Sequence, residues 1–408
     1  MDLLLTARWL LPLPGEALEG GVLRVVDGQV AEVLAGEQGR RARDGEGRPA
    51  LDLGEVVLAP GLVNAHAHLE LSGLDDLPRG ADFGAWVGAV LERRAGLTDA
   101  DHWAAVERGA RRLLETGTTT VGEVDGTGAA GAVLPGLPLR ARIFRELLDG
   151  GDPARTPRQL ERIALPPPAG GRVLPGLSPH GPHTVSEELQ RAAAGQARVA
   201  GWPIQVHWAE TEAEVQWLRG EGGPLAERLG EAPGCSGLER LERCGLLGPG
   251  TSLVHGNHPE AGELERVAAA GASLVHCPGT HAWFERGASP LSAWQASGAS
   301  VALGTDSRAS NDDLDLRLEL ARAREGDPGL DPAVLWGWAT LGGARALGLE
   351  GVVGALAPGL RADLVAFDAR GIAGPPDLLD HLTGGRPRVH RVWVDGEEVG
   401  LVPSDDRG

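Results

Sequence analysis

From Leu62 to Asp306 the chain repeats one rhythm: a short apolar run, an end rich in histidine, acid or hydroxyl, then a longer segment that closes on glycine. The apolar runs are LVNAHAH, TTTVGEV, ARIFREL, VLPGLSPH, PIQVHWAE, TSLVHGNH, ASLVHCPG and SVALGTD, eight in all. Segments between them, such as FGAWVGAVLERR with WAAVERGARRLLETG, or SEELQRAAAGQARVAG, carry apolar residues at the spacing of an amphipathic helix. Strands that alternate with helices pair in parallel. Eight such units over about 300 residues predict an α/β chain built on a closed (β/α)8 TIM barrel, with its active site at the C-terminal ends of the strands.

The two ends of the chain follow a different pattern. LLLTARWLL, GVLRVVDGQVAEVLAG and ALDLGEVVLAP before the first barrel strand, and APGLRADLVAFD and VHRVWVDGEEV after the last, alternate apolar and polar positions. The Asp27-Gly28 and Asp395-Gly396 pairs mark hairpin turns. Segments of one character at both ends predict a small β-sandwich assembled from residues 1–57 and 350–408, beside a barrel over residues 58–349.

Composition narrows the function. The formal charge of −19 over 408 residues, without a dense basic run, argues against nucleic acid and against anionic membrane surfaces. No apolar stretch approaches the roughly 20 residues of a membrane helix. The opening MDLLLTARWLLPLP has Asp2 where a secretion signal carries positive charge, so it reads as a strand and the protein as cytoplasmic. Cys235, Cys244 and Cys277 show no C-x-x-C spacing and read as small buried residues in a reducing compartment. The chain contains no lysine and no tyrosine. That rules out a Schiff base to pyridoxal phosphate, a phosphate-loop lysine, a carbamylated lysine bridging two metals, and phenolic acids.

Chemistry gathers at the predicted strand ends. His66 and His68 stand two apart in LVNAHAH, and positions i and i+2 of a strand share a face. His207 ends the fifth run, with Glu210 three residues on; His255 ends the sixth and Asp306 the eighth. Three imidazoles and a carboxylate suit Zn²⁺ or Fe²⁺ with one position open to water. Each residue also has a plainer reading: His207 as a satisfied core histidine, Glu210 as a helix cap, His255 as a structural donor, Asp306 as an N-cap. Their joint placement at strand ends favours the metal site.

The motifs PGLVNAHAHLELS, SPHGPHTVS, HWAETE, VHGNH, HCPGTHAWF, LGTDSRASN and APGLRADLVAFD together resemble the amidohydrolase superfamily. The likeness is to its branch of cytosine, guanine and S-adenosylhomocysteine deaminases and triazine chlorohydrolases. HLELS, FGAWV and GTDSRASN look most like the aminodeoxyfutalosine deaminases of that branch, which serve menaquinone synthesis. This resemblance implies one divalent ion, zinc or iron, on His66, His68, His207 and Asp306. It implies a hydrolytic deaminase of an aminopurine-like or related heterocyclic amine, in which an ion-acidified water attacks the ring carbon and ammonia leaves. Glu210, His255 and Asp306 would be catalytic; His180, Glu70, Glu146 and His183 would contact the small-molecule substrate. A chlorohydrolase or other ring amidohydrolase is the alternative on the same scaffold, and a non-catalytic binding barrel the remaining one. A homodimer is the expectation by analogy with such barrels. Gly279, Thr280 and His281 after HCP, His183, and Arg308 depart from the superfamily pattern and are expected on the substrate side of the pocket.

Overall fold

The computed structural model describes residues 2–45, 50–74, 77–80, 83–165 and 170–400. The last eight residues of the predicted C-terminal β segment, 401–408, lie outside them. Before the barrel come β1 (Asp2–Leu10), β2 (Leu18–Val26), β3 (Gln29–Leu34), β4 (Ala50–Asp52) and β5 (Val56–Pro60). The barrel strands are β6 (Leu62–Ala67), β7 (Thr118–Asp125), β8 (Arg140–Leu147), β9 (Val173–Pro179), β10 (Ile204–Trp208), β11 (Thr251–His255), β12 (Ser273–His276) and β13 (Ser300–Leu303). After it come β14 (Leu364–Asp368), β15 (Val389–Val394) and β16 (Glu397–Glu398).

Strands β6 to β13 form one parallel sheet in sequence order, each beside its predecessor, with helices between. This is the predicted barrel, and the helical spacing has become helices with the expected ends. Helix Asp99–Glu115 starts on a Thr98 and Asp101 capping box. Helix Glu187–Ala200 is capped by Ser186 and stopped by Gly201 in the left-handed conformation. Between β13 and β6 the ladder is thin: one bridge, Ala67 with Asp306, and bonds from Thr305 N and Asp306 N to the His66 carbonyl at 3.0 and 3.1 Å. No helix among the described residues is long and apolar enough to cross a membrane.

The terminal strands join in a second, mixed sheet of order β16-β15-β14-β5-β1-β2-β3, with β4 also on β1. The two ends of the chain meet where β5 pairs antiparallel with β14, Pro60 opposite Leu364. Both predicted hairpin turns are present, with Asp27 at φ 49° and Asp395 at φ 50°, each followed by a left-handed glycine. Alternation divides this sheet's side chains between two cores. Leu10, Leu58, Leu364 and Trp393 pack among themselves and against Leu23 and Val25. Trp9, Val57, Val365 and Phe367 belong instead to the large core that runs through the barrel helices. Arg140 of β8 ties the two bodies together by donating to Asp363 at 2.8 Å and to Asp395 at 2.6 Å.

Candidate active site

The parallel sheet points every strand end to one mouth, so residues far apart in sequence meet there. His66 and His207 lie within β6 and β10, His255 closes β11, and Asp306 follows β13. Three positions at this rim hold left-handed backbone although none is glycine: Ala209 at φ 48°, His255 at 75° and Asp306 at 55°. Such conformations cost about 1–3 kcal/mol each and persist where the surroundings over-determine them, typically around functional sites.

The nitrogen atoms of His66, His68 and His207 lie within 4.8 Å of one another. His68 Nε2 and His207 Nε2 are 3.4 Å apart. Asp306 Oδ1 faces the cluster, 3.7 Å from His66 Nε2 and 3.8 Å from His68 Nε2. The remaining ring nitrogens fix the tautomers. His66 Nδ1 donates to Gln205 Oε1 at 2.6 Å and His207 Nδ1 to the His180 carbonyl at 2.9 Å. The Nε2 atoms of both rings therefore carry lone pairs, and that of His66 is buried without a hydrogen-bond partner. Burial, reinforced by neighbouring imidazoles, lowers His68 well below its ordinary pKa and His207 to about 3, so both rings are neutral at pH 7. Neutral rings with converging lone pairs, oriented by outer hydrogen bonds, are what a divalent ion requires. Two imidazole nitrogens at about 2.0–2.1 Å from one tetrahedral ion would stand about 3.4 Å apart. The residues present fit a metal site.

Two hydroxyls hold the carboxylate. Asp306 Oδ2 accepts from Thr280 Oγ1 and from Ser310 Oγ, both at 3.1 Å, which leaves Oδ1 toward the histidines. Gln205 was missed in the sequence, though it stands two residues before His207 on the same strand. Glu214 is a second such residue. Buried in the first turn of helix Glu212–Arg219, it accepts from the backbone of Ala209 and of Glu210, each at 3.0 Å, and so fixes the bend that presents Glu210.

Glu210 reaches the rim beside His255, with Oε1 3.8 Å from His255 Nε2 and 3.0 Å from Arg286 Nη2. Burial lowers His255 to about 3 as well, leaving it neutral. The ring of His180 lies 4.6 Å from that of His207, and its Nδ1 is 2.7 Å from Thr184 Oγ1. His183 Nδ1 stands 3.6 Å from Glu214, whose charge holds the imidazole above its ordinary pKa against the effect of burial. Glu70 and Glu146 come together around Gly126, where a Cβ would fall 2.8 Å from Glu146 Oε2 and 3.1 Å from Glu70 Oε1. Glu70 is already engaged by Arg94 at 2.8 Å and by Thr127 Oγ1 at 2.6 Å. Burial and the Glu70 carboxylate push Glu146 up to about 7.

Gly279, Thr280, His281 and Arg308, expected on the substrate side, have engagements of their own. Gly279 has no room for a side chain, since its Cβ would fall 2.2 Å from Asn311 Oδ1. Thr280 holds Asp306, while His281 lies between Asn257 and the Gly287 carbonyl. Arg308 lines a surface groove of about 680 Å³ with Glu107, Arg111 and Asp313, and none of the site residues lines that groove.

Residues 57–399 match the amidohydrolase family. The chain is 33% identical to a 5-methylthioadenosine/S-adenosylhomocysteine deaminase of Halobacterium salinarum, over 82% of this chain and 79% of that protein. It is 35% identical to an aminodeoxyfutalosine deaminase of Deinococcus radiodurans, over 72% of this chain and 74% of that protein. Among solved structures, a zinc-bound adenosine deaminase of Xanthomonas campestris superimposes with a TM-score of 0.82 at 27% identity, covering 99% of this chain and 95% of that one.

Proposed function

We propose that this chain, which belongs to the amidohydrolase family, is a metal-dependent hydrolytic deaminase of 6-aminopurine nucleosides and close analogues, aminodeoxyfutalosine among them. The observation that carries the reading is the cluster of His66, His68 and His207 with the Asp306 carboxylate facing two of them at 3.7 and 3.8 Å, and Glu210 and His255 side by side at its edge. His66, His68, His207 and Asp306 would hold the ion; the donor set suits zinc or iron, and the zinc in the Xanthomonas structure favours zinc. When bound, such an ion lowers the pKa of a water toward neutrality and supplies Lewis acidity.

The chain's own residues do the rest. Glu210 takes one proton from the attacking water and passes it to the ring nitrogen, then takes the second from the hydroxyl that has added to the ring carbon and passes it to the amine, which departs as ammonia; this is general acid/base work for which a carboxylate at the rim is placed. His255, neutral and next to Glu210, donates to the oxygen on which charge develops. Asp306, fixed by Thr280 and Ser310, orients the attacking water. His180 meets the substrate, His183 steadies the backbone of Glu210 through Glu214, and Glu70 with Glu146 accepts polar groups of the sugar. The barrel over residues 58–349 carries this chemistry and the termini buttress it. The three cysteines are buried and unpaired, which supports a cytoplasmic setting.

Zinc-loaded protein incubated with adenosine, 5-methylthioadenosine, S-adenosylhomocysteine, aminodeoxyfutalosine, guanine, cytosine and a chlorinated triazine tests the reading. Ammonia should appear from the adenosine-like members. Silence across those members would overturn the assignment, and chloride from the triazine would move it to the chlorohydrolase alternative.

A further inference from the structure

Resting on that reading, we propose that Arg286 is the residue that positions Glu210, pinning one carboxylate oxygen so that the other carries the proton. Arg286 follows helix Pro278–Trp283 and a left-handed turn at Glu285, φ 54°. Its Nη2 donates to Glu210 Oε1 at 3.0 Å, and both side chains are nearly enclosed, 8% and 10% exposed. Among the described residues Oε1 takes this bond and Oε2 takes none. The other terminal nitrogen of Arg286, Nη1, is buried without a hydrogen-bond partner. The cation is therefore directed to Glu210, and charge-assisted bonds of this kind are the strong ones. The guanidinium is confined by aromatic rings, 4.7 Å from the centroid of Phe284 and 5.6 Å from that of Phe83.

A second tie joins the same loop to the Glu210 backbone. The Glu210 carbonyl accepts from Asn257 Nδ2 at 3.0 Å, and Asn257 Oδ1 lies 3.1 Å from His281 Nδ1. His281 Nε2 in turn is 3.0 Å from the Gly287 carbonyl, while Arg286 N donates to the His281 carbonyl at 3.2 Å. Main chain and side chain of Glu210 are thus both referenced to residues 281–287. A glutamate has three rotatable bonds, and a proton carrier displaced by about 1 Å loses about 100-fold in rate. Holding Oε1 removes that freedom without occupying Oε2.

The test is a double-mutant cycle on the zinc-loaded protein with Arg286→Gln, Glu210→Gln and the pair, and with Arg286→Lys as the conservative variant. Arg286→Gln should lower kcat about 100-fold with zinc content unchanged and KM moved less than about 3-fold. Arg286→Lys should recover part of the loss. In the Glu210→Gln background, Arg286→Gln should cost less than about 3-fold further. The same factor lost in both backgrounds, or an unchanged kcat, would overturn the positioning role. Thermal melts of the four proteins without substrate read the contact by itself, and additive shifts there would overturn the pairing. A wild type silent on every substrate overturns the deaminase reading and the positioning role with it, even where non-additive melts retain the ion pair.

Discussion

Gln205 reaches across the barrel to His66, 139 residues away in sequence, and its amide oxygen settles which nitrogen of that ring bears the proton. Its own amide nitrogen donates to the Ala65 carbonyl at 2.9 Å, so the oxygen cannot turn away. Replacing it by leucine keeps the volume and removes the acceptor. We expect Gln205→Leu to weaken metal affinity about 10–100-fold, measured by competition with a chromogenic chelator, with circular dichroism unchanged. The histidine cluster was legible because histidines two apart at a strand end, or at the end of an apolar run, carry their geometry in their spacing. Gln205 and Glu214 were not, and Thr280 was noted only in a different role, because an amide, a hydroxyl or an acid in a first turn has an ordinary local use. Only the partner across the mouth reveals the other one.

Arg140 shows how elements are coupled. It projects from β8 into the seam between barrel and terminal sheet, where it meets Asp363 just before β14 and Asp395 just after β15. Arg140 and Asp363 are 6% and 2% exposed, so the Asp363 carboxylate depends on this cation for partial neutralisation, whereas Asp395 is also bound by Arg172 at 2.6 Å. Arg140→Met would leave Asp363 buried and uncompensated and should lower stability by about 3–5 kcal/mol, read as an earlier urea midpoint. At this scale the strands, their hairpin turns and the helix caps were readable, since each is a local pattern of apolar period and stop residue. The pairing of β5 with β14 was foreseeable only as an economy: nothing local in either strand encodes a partner some 300 positions distant. The thin β13 to β6 junction left no mark on the sequence at all.

The molecule as a whole buries acids that prefer to keep their protons. Burial pushes Glu146 and Glu319 up to about 7, against 4.5 in an unfolded chain. The folded protein binds these protons more tightly, so the stability they contribute is complete below about pH 4.5 and is lost as pH rises through about 7. The melting temperature should therefore fall between about pH 5 and about pH 8. Glu146→Gln and Glu319→Gln should each flatten that slope; a melting temperature that climbs over the interval would contradict the assignment. The junction where β13 meets β6 has a consequence for the whole barrel. His66 and His68 stand on one lip of that gap and Asp306 on the other, with a single bridge between the strands. A cation shared by both lips would be the missing hoop around the staves. Apart from that hoop, Asn64 and Thr305 clasp the two lips, at 2.7 Å between their side chains, so whatever loosens this line would part the histidines from the carboxylate.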